Sequence, residues 1–230
     1  MVKPKAVAVA RRWMGLTVLP AFFACIFVAA GRMDWVRGWI CAASMALGMS
    51  AIGAIVRKRN PELMRARMAG PAKGTKPFDR VFRRLFIPLL FIQPVVAALD
   101  AVRFRWSSMP FATVWPGVIL FVAGTALITW GMVSNPYAET SVRIQTDRGH
   151  RVVTGGPYRL VRHPMYVGML AMYTGIEFIL GSWWGFVVLG AIVGLLIWRT
   201  AMEDAVLLRE LPRYADYAAR TRWRLAPGIW

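Results

Sequence analysis

Two short stretches of this chain hold residue types that can bind and orient a polar ligand. The first runs from His150 to Gly168 and contains both histidines of the protein, His150 and His163. Gly155-Gly156-Pro157 predicts a turn where a ligand can come close to the backbone. Pro164 suits the first turn of a helix, where its missing N–H costs nothing. It also pushes His163 out of helical geometry and into the cap. Free N–H groups at such a helix start receive carboxylates and other anions. Tyr158 and Tyr166 offer ring faces to an adenine or a sulfonium cation. The same string serves equally well as a basic, membrane-hugging loop whose His and Tyr anchor at the interface, so spacing alone does not name a ligand.

The second stretch is Arg199-Thr-Ala-Met-Glu203-Asp204. Arg199 and Glu203 are four apart and share one helix face. They form either a simple ion pair, worth about 0.3–0.5 kcal/mol, or a divided pair. In the divided pair Glu203 accepts from a ribose hydroxyl or an amine, and Arg199 faces an anionic group. Downstream, Tyr214, Tyr217 and Trp223 alternate with Arg213, Arg220, Arg222 and Arg224, a pattern that suits a helix lying on a bilayer surface.

The elements that must position these residues are apolar. Of 230 residues 57% are hydrophobic, with 11 Trp and 12 Phe, well beyond an ordinary soluble domain. Runs of about 20 apolar residues can cross about 30 Å of hydrocarbon. The pattern predicts an all-α, polytopic membrane protein with helices at about 14–31, 36–56, 85–102 and 114–134. The stretch 165–198 is too long for one span, and Gly181-Ser182 near its middle predicts a hairpin of helices 164–180 and 183–198. Residues 1–134 then form a four-helix region with a basic loop at 57–84. Residues 135–230 form a catalytic region of loop, hairpin and amphipathic tail.

The charge is lopsided, with 29 Lys+Arg against 11 Asp+Glu and a formal +18. A soluble nucleic-acid binder can be this basic, but it would not also hold several membrane-length runs, so no nucleic-acid partner is expected. Instead 25 of the 29 basic residues fall in the N-terminal tail, the 57–84 and 135–163 loops and the segment after 198, leaving Arg32, Arg37, Arg103 and Arg105. That partition predicts six spans with both termini cytoplasmic and basic loops that meet anionic membrane lipids. The N-terminal tail with Lys3, Lys5, Arg11 and Arg12 is read as leading into a retained first helix. Cys25 and Cys41 lie in apolar segments without ligand spacing, so neither a disulfide scaffold nor a metal site is expected. Gln93, Asp100 and Glu177 fall inside predicted spans and are functional candidates by default. Glu177, near the non-cytoplasmic end, is expected at the interface.

Taken in order, His150, the Gly-x-Tyr158 turn, Arg162-His163-Pro164-x-Tyr166-x-Gly168, the hairpin and Arg199-x-x-x-Glu203 resemble the isoprenylcysteine carboxyl methyltransferase family. The related phospholipid methyltransferases share much of this arrangement. The match covers about 135–225. The resemblance implies S-adenosyl-L-methionine as cofactor. It places His150, Arg151, Val152, Val153 and Tyr158 along the cofactor site, with His163, Pro164, Met165 and Tyr166 contacting it from the start of a helix. It gives Glu203 a cofactor-binding and catalytic role and sets Arg199 toward a lipophilic acceptor, an isoprenylcysteine-like carboxylate or a lipid headgroup. Asn135 resembles a family position more weakly. Two features depart from the pattern: Asp204 follows Glu203 where another Glu is usual, and Leu211-Pro212 stands where Phe-Gly often precedes the tyrosines. These departures leave the acceptor open, as they do oligomeric state. No strand–Gly-x-Gly–helix pattern occurs, which excludes the soluble Rossmann arrangement. Membrane sterol reductases share a His-Pro-x-Tyr element that serves a nicotinamide, and a non-catalytic accessory subunit is the other alternative.

Overall fold

In the computed structural model residues 20–70 and 72–230 are described. The described residues are helical, with no strand among them. The helices are α1 (Pro20–Ala30), α2 (Val36–Arg59), α3 (Pro61–Ala69), α4 (Pro77–Ala98), α5 (Val114–Ser134), α6 (Pro164–Leu180), α7 (Trp183–Glu210) and α8 (Tyr214–Arg220). Four stretches are long and apolar enough to cross a bilayer: α2, α4 with its continuation to Phe104, Phe111–Ser134, and α7. The apolar helices α1 and α6 are shorter. Residues 14–19 of the expected first helix and its four preceding basic residues lie outside the described part. The result is an all-helical membrane protein.

α5 packs most extensively on α6, and the reason is a heptad of glycines. Gly117 and Gly124 of α5 face Gly175 and Gly168 of α6, backbone against backbone. A Cβ on Gly117 would lie 2.8 Å from the Gly175 carbonyl, and one on Gly168 would lie 2.7 Å from that of Gly124. Within lipid, where burying apolar surface gains little, such close approach is what holds helices together.

The hairpin turns where the sequence places it. Gly181 takes φ +81, the left-handed region glycine tolerates, and Ser182 caps α7 by accepting from the Gly185 N–H. Asp100 ties this turn to the end of α4, accepting from Ser182 Oγ at 2.6 Å, from Ser107 Oγ and from the Trp184 N–H. Residues Leu99–Phe104 form a π-helical turn there. Arg37 caps the same end, donating to the carbonyls of Met109, Pro110, Phe178 and Ile179. Its charge complements the negative end of α6.

Several expected boundaries differ. The 57–84 stretch is not a plain loop: it holds α3 and the first two turns of α4. Pro77 starts α4 eight residues before the apolar run, because Arg80, Arg83 and Arg84 conceal these turns from a hydropathy reading. α7 likewise continues through Arg199 to Glu210 without a break. The tail does not form a long surface helix: α8 has seven residues, and Tyr214 and Tyr217 are buried against Tyr158 and Leu211. Glu177 is not interfacial. It is fully buried, and its carboxyl fills the space left by the missing side chain of Gly185.

Candidate functional site

A cavity of about 110 Å³ lies where the loop after α5, the start of α6 and the extended end of α7 converge. It is lined by His150, Arg151, Val152, Val153, Tyr158, His163, Met165, Tyr166, Arg199 and Glu203, every predicted site residue except Pro164. Asn135 also lines it. Pro164 instead occupies the first turn of α6, and His163 is the non-helical cap, φ −126. The proline therefore shapes the site without facing it.

His163 and Tyr166 sit almost parallel, ring centroids 5.7 Å apart. The Tyr166 hydroxyl donates to Glu203 Oε2 at 2.5 Å. His163 Nε2 lies 3.3 Å from Asp204 Oδ1. Asp204 is a hub: its carboxylate also accepts from the Tyr214 hydroxyl at 2.7 Å and from Arg224 Nε at 2.9 Å, and it lies 3.2 Å from an Arg162 nitrogen. A fully buried carboxylate persists only with such donors. The backbone repeats the bond, since the Arg162 and His163 N–H groups donate to the Trp223 and Arg224 carbonyls. The chain after α8 is thus stitched beneath the start of α6.

Arg199 and Glu203 do not pair with each other. The Arg199 guanidinium reaches Asp79 of α4 at 2.9 Å and donates to the Thr140 carbonyl. It lies 4.5 Å from the Phe82 ring and 5.5 Å from that of Tyr166. A largely buried cation is held by one carboxylate and two aromatic faces, each face worth about 0.5–2 kcal/mol. Its Nε has no partner among the described residues, and neither do the buried Arg162 Nε and Ser141 Oγ beside it.

The wall opposite comes from the 135–163 loop. His150 lies against the Tyr137 ring, centroids 4.5 Å apart, and its Nδ1 accepts from the Gln145 N–H at 3.3 Å. Burial, and then the nearby Arg143 cation, lower the His150 pKa below its ordinary value. The imidazole is therefore neutral at pH 7, with the acceptor nitrogen inward on the loop. Burial raises Tyr158, and it pushes Tyr217 up to about 12. Both phenols thus stay neutral: Tyr158 Oη accepts from Asn135 Nδ2 at 3.2 Å, and Tyr217 donates to the Tyr158 carbonyl at 2.7 Å, closing tail against loop. The N-terminal helices grip this loop. Asn60 donates to the Met132 carbonyl, Arg67 to that of Ala138, and Asp79 accepts from the Val142 N–H.

Residues 112–212 match the family model described as phospholipid methyltransferase. The likeness covers under half of the chain. The matched segment runs from the start of α5 to the end of α7, so it holds the glycine interface, the hairpin and most of the cavity. The chain is also 27% identical over 165 residues to the nickel-cobalt-cadmium resistance protein NccN of Alcaligenes xylosoxydans xylosoxydans, covering 69% of this chain and 70% of that protein.

Some residues at the cavity escaped the sequence reading. Ser141, Arg162 and Tyr214 line it, Asp204 cements it, and Asp79 and Phe82 reach it from outside the matched segment. Asp204 was visible only as a departure beside Glu203. Asp79 had a signal of its own, as one of only two acids, with Glu62, in the most basic stretch of the chain.

Proposed function

We propose that the protein is an S-adenosyl-L-methionine-dependent methyltransferase acting at the cytoplasmic membrane face on a lipophilic acceptor bearing an anionic group. The observation that carries this reading is the split of Arg199 from Glu203. The two face one cavity with separate partners, so one can serve the acceptor while the other serves the cofactor. Four candidate spans and two shorter apolar helices support six crossings with the cavity on the basic side.

The donor set suits the cofactor. Glu203 is an acceptor for ribose hydroxyls or an ammonium, and the unpartnered Arg162 and Ser141 donors suit its carboxylate. Tyr158 and Tyr166 supply ring faces. When bound, the cofactor supplies a methyl already activated on a sulfonium, so a carboxylate or phosphate acceptor needs no general base. The chain's work is then alignment and exclusion of water, which together supply up to about 7–11 kcal/mol. Arg199 orients the acceptor's anionic group, and Asp79, Phe82 and Tyr166 keep the guanidinium in place. An amine or thiol acceptor would have to lose a proton, for which His163 and His150 are the candidates, His150 only after its Nδ1 leaves the Gln145 N–H. The cavity is smaller than the roughly 300–1,000 Å³ of sites for ligands of this size. Loading therefore requires the 135–163 loop and the tail to part at the Tyr217–Tyr158 contact.

The test is ligand-dependent thermal stabilisation of the purified protein in detergent, with S-adenosylhomocysteine compared against NADPH. Stabilisation by the first alone is expected; stabilisation by the nicotinamide alone would make the protein a reductase. Labelled-methyl transfer to lipid extracts and prenylated thiol compounds then identifies the acceptor. Arg199→Ala should abolish transfer with cofactor affinity nearly unchanged. Arg199→Lys should restore only part, because an ammonium keeps the charge but loses the planar two-point fork for a carboxylate or phosphate.

A further inference from the structure

A larger cavity lies outside the site already described. It has a volume of about 690 Å³ and opens on the far flank of α4. The turn between α3 and α4 supplies Lys73, Gly74 and Thr75, and α4 supplies Arg80, Arg83, Arg84, Ile87 and Pro88. Four cations line it, Arg83 the least exposed of them, and Ile87 with Pro88 adds an exposed apolar flank one turn further along α4, where the helix becomes continuously apolar. No acidic residue is among the described lining residues, and none of the four cations has an ion pair among the described residues. Arg83 Nη1 is buried with no hydrogen-bond partner among them. The carboxylate whose charge Arg83 feels, Asp79, is already engaged by Arg199.

A solvated basic patch would scatter its charges over exposed positions. Here a guanidinium nitrogen is withdrawn from water, unpaired, beside a concave surface. A site of this construction suits a phosphodiester, and the apolar flank one turn further along suits the first carbons of acyl chains. Basic pockets at the cytoplasmic ends of membrane helices bind anionic lipid headgroups in this way. We infer that the α3–α4 pocket binds the headgroup phosphate of an anionic glycerophospholipid, as a site separate from the cavity lined by Arg199 and Glu203.

The experiment uses the full chain, delipidated in a neutral detergent, and a fluorescent phosphatidylglycerol. Saturable binding is expected, with phosphatidylcholine of the same chains binding far more weakly. Arg83→Gln/Arg84→Gln should weaken it about thirtyfold, from about fivefold per removed charge at about 1 kcal/mol each. Lys58→Gln/Arg59→Gln removes the same charge from the exposed end of α2 and should leave it unchanged. Equal loss in both double variants would reduce the effect to diffuse attraction and overturn the pocket. So would equal binding of phosphatidylcholine. Displacement by an equal concentration of inorganic phosphate would make this a free-anion site rather than a lipid site. Should the arginine variant lose its unliganded thermal transition, Lys73→Gln/Arg80→Gln, both on exposed side chains, carries the same expectation.

Discussion

The segments before and after residue 112 meet at one cavity by different means. The later segment supplies most of its lining, mounted on two helices locked by glycine contact and one that runs from Ser182 through Arg199 to Glu210. The earlier segment supplies holders: Asn60, Arg67, Lys76 and Asp79 each grip a carbonyl, an N–H or a charge that belongs to the later one. The helices of the later segment are set by steric glycine contact, and its loop and tail by buried hydrogen bonds to Asp204 and to the Tyr158 carbonyl. The earlier segment adds polar grips on the 135–163 loop and aromatic contact at Arg199 and Tyr173. The difference teaches that the lining is mounted on its own helices, whereas the loop over it is also held from outside.

The comparison breaks most severely at the glycines. Gly124→Leu places a side chain into the backbone of Gly168 and Met172, and loss of the cooperative thermal transition in detergent is expected. Gly190→Leu, where nothing lies within 4 Å of the new Cβ, should unfold like the parent. Equal behaviour of the two would show that the glycine interface is not what holds α5 to α6.

Next in size is Asp79→Ala, which strands the buried Arg199 cation and should cost about 3 kcal/mol. If stranding is the cause, Asp79→Ala/Arg199→Met should recover much of the loss in a double-mutant cycle. Additive losses would mean that Asp79 acts through the Val142 N–H instead.

His150 sharpens the comparison through pH. Its pKa is lowered in the folded loop, so above its ordinary value near 6.5 both folded and unfolded loops are neutral and stability is complete. As pH falls below that value the unfolded loop takes up the proton first, and stability drops by up to about 1.4 kcal/mol per pH unit. Protection factors of the amides at 137–150, each taken against the intrinsic exchange rate at the same pH, should fall from pH 7 to 5, and in His150→Gln this component should vanish.

The smallest effect belongs to Lys76–Glu210, a half-exposed pair at 2.7 Å joining the start of α4 to the end of α7. Lys76→Met should cost under about 1 kcal/mol, given solvent screening. A larger drop in thermal midpoint would promote this pair from trim to latch.

The hairpin was legible because two local signals coincide at Gly181-Ser182, and α6 runs over the residues expected. The lining residues were legible because their types and order are unusual. What escaped reading depends on partners distant in sequence. Nothing local distinguishes Asp79 as the counter-ion of Arg199, or Phe82 as its platform. Charged residues hid the first turns of α4, since hydropathy reads composition and not helix continuity. The glycine heptad at 117 and 124, answered at 168 and 175, was present in the sequence, but two separate strings had to be compared to see it. The tail misled because amphipathicity says only that one face is buried; the 135–163 loop at Tyr158 and the end of α7 bury it.

The Asp79–Arg199 pair has a consequence for biogenesis. The ribosome delivers Asp79 long before Arg199, at about 5–20 residues per second, so the carboxylate must wait through the synthesis of α5, α6 and most of α7. During that interval it lies near the membrane surface, accessible to water, as α4 settles. Only when the last long helix arrives can carboxylate and guanidinium leave water together between Phe82 and Tyr166. The cavity is therefore among the last features to mature, and a chain stalled before residue 199 can be inserted and packed yet carry no site at all.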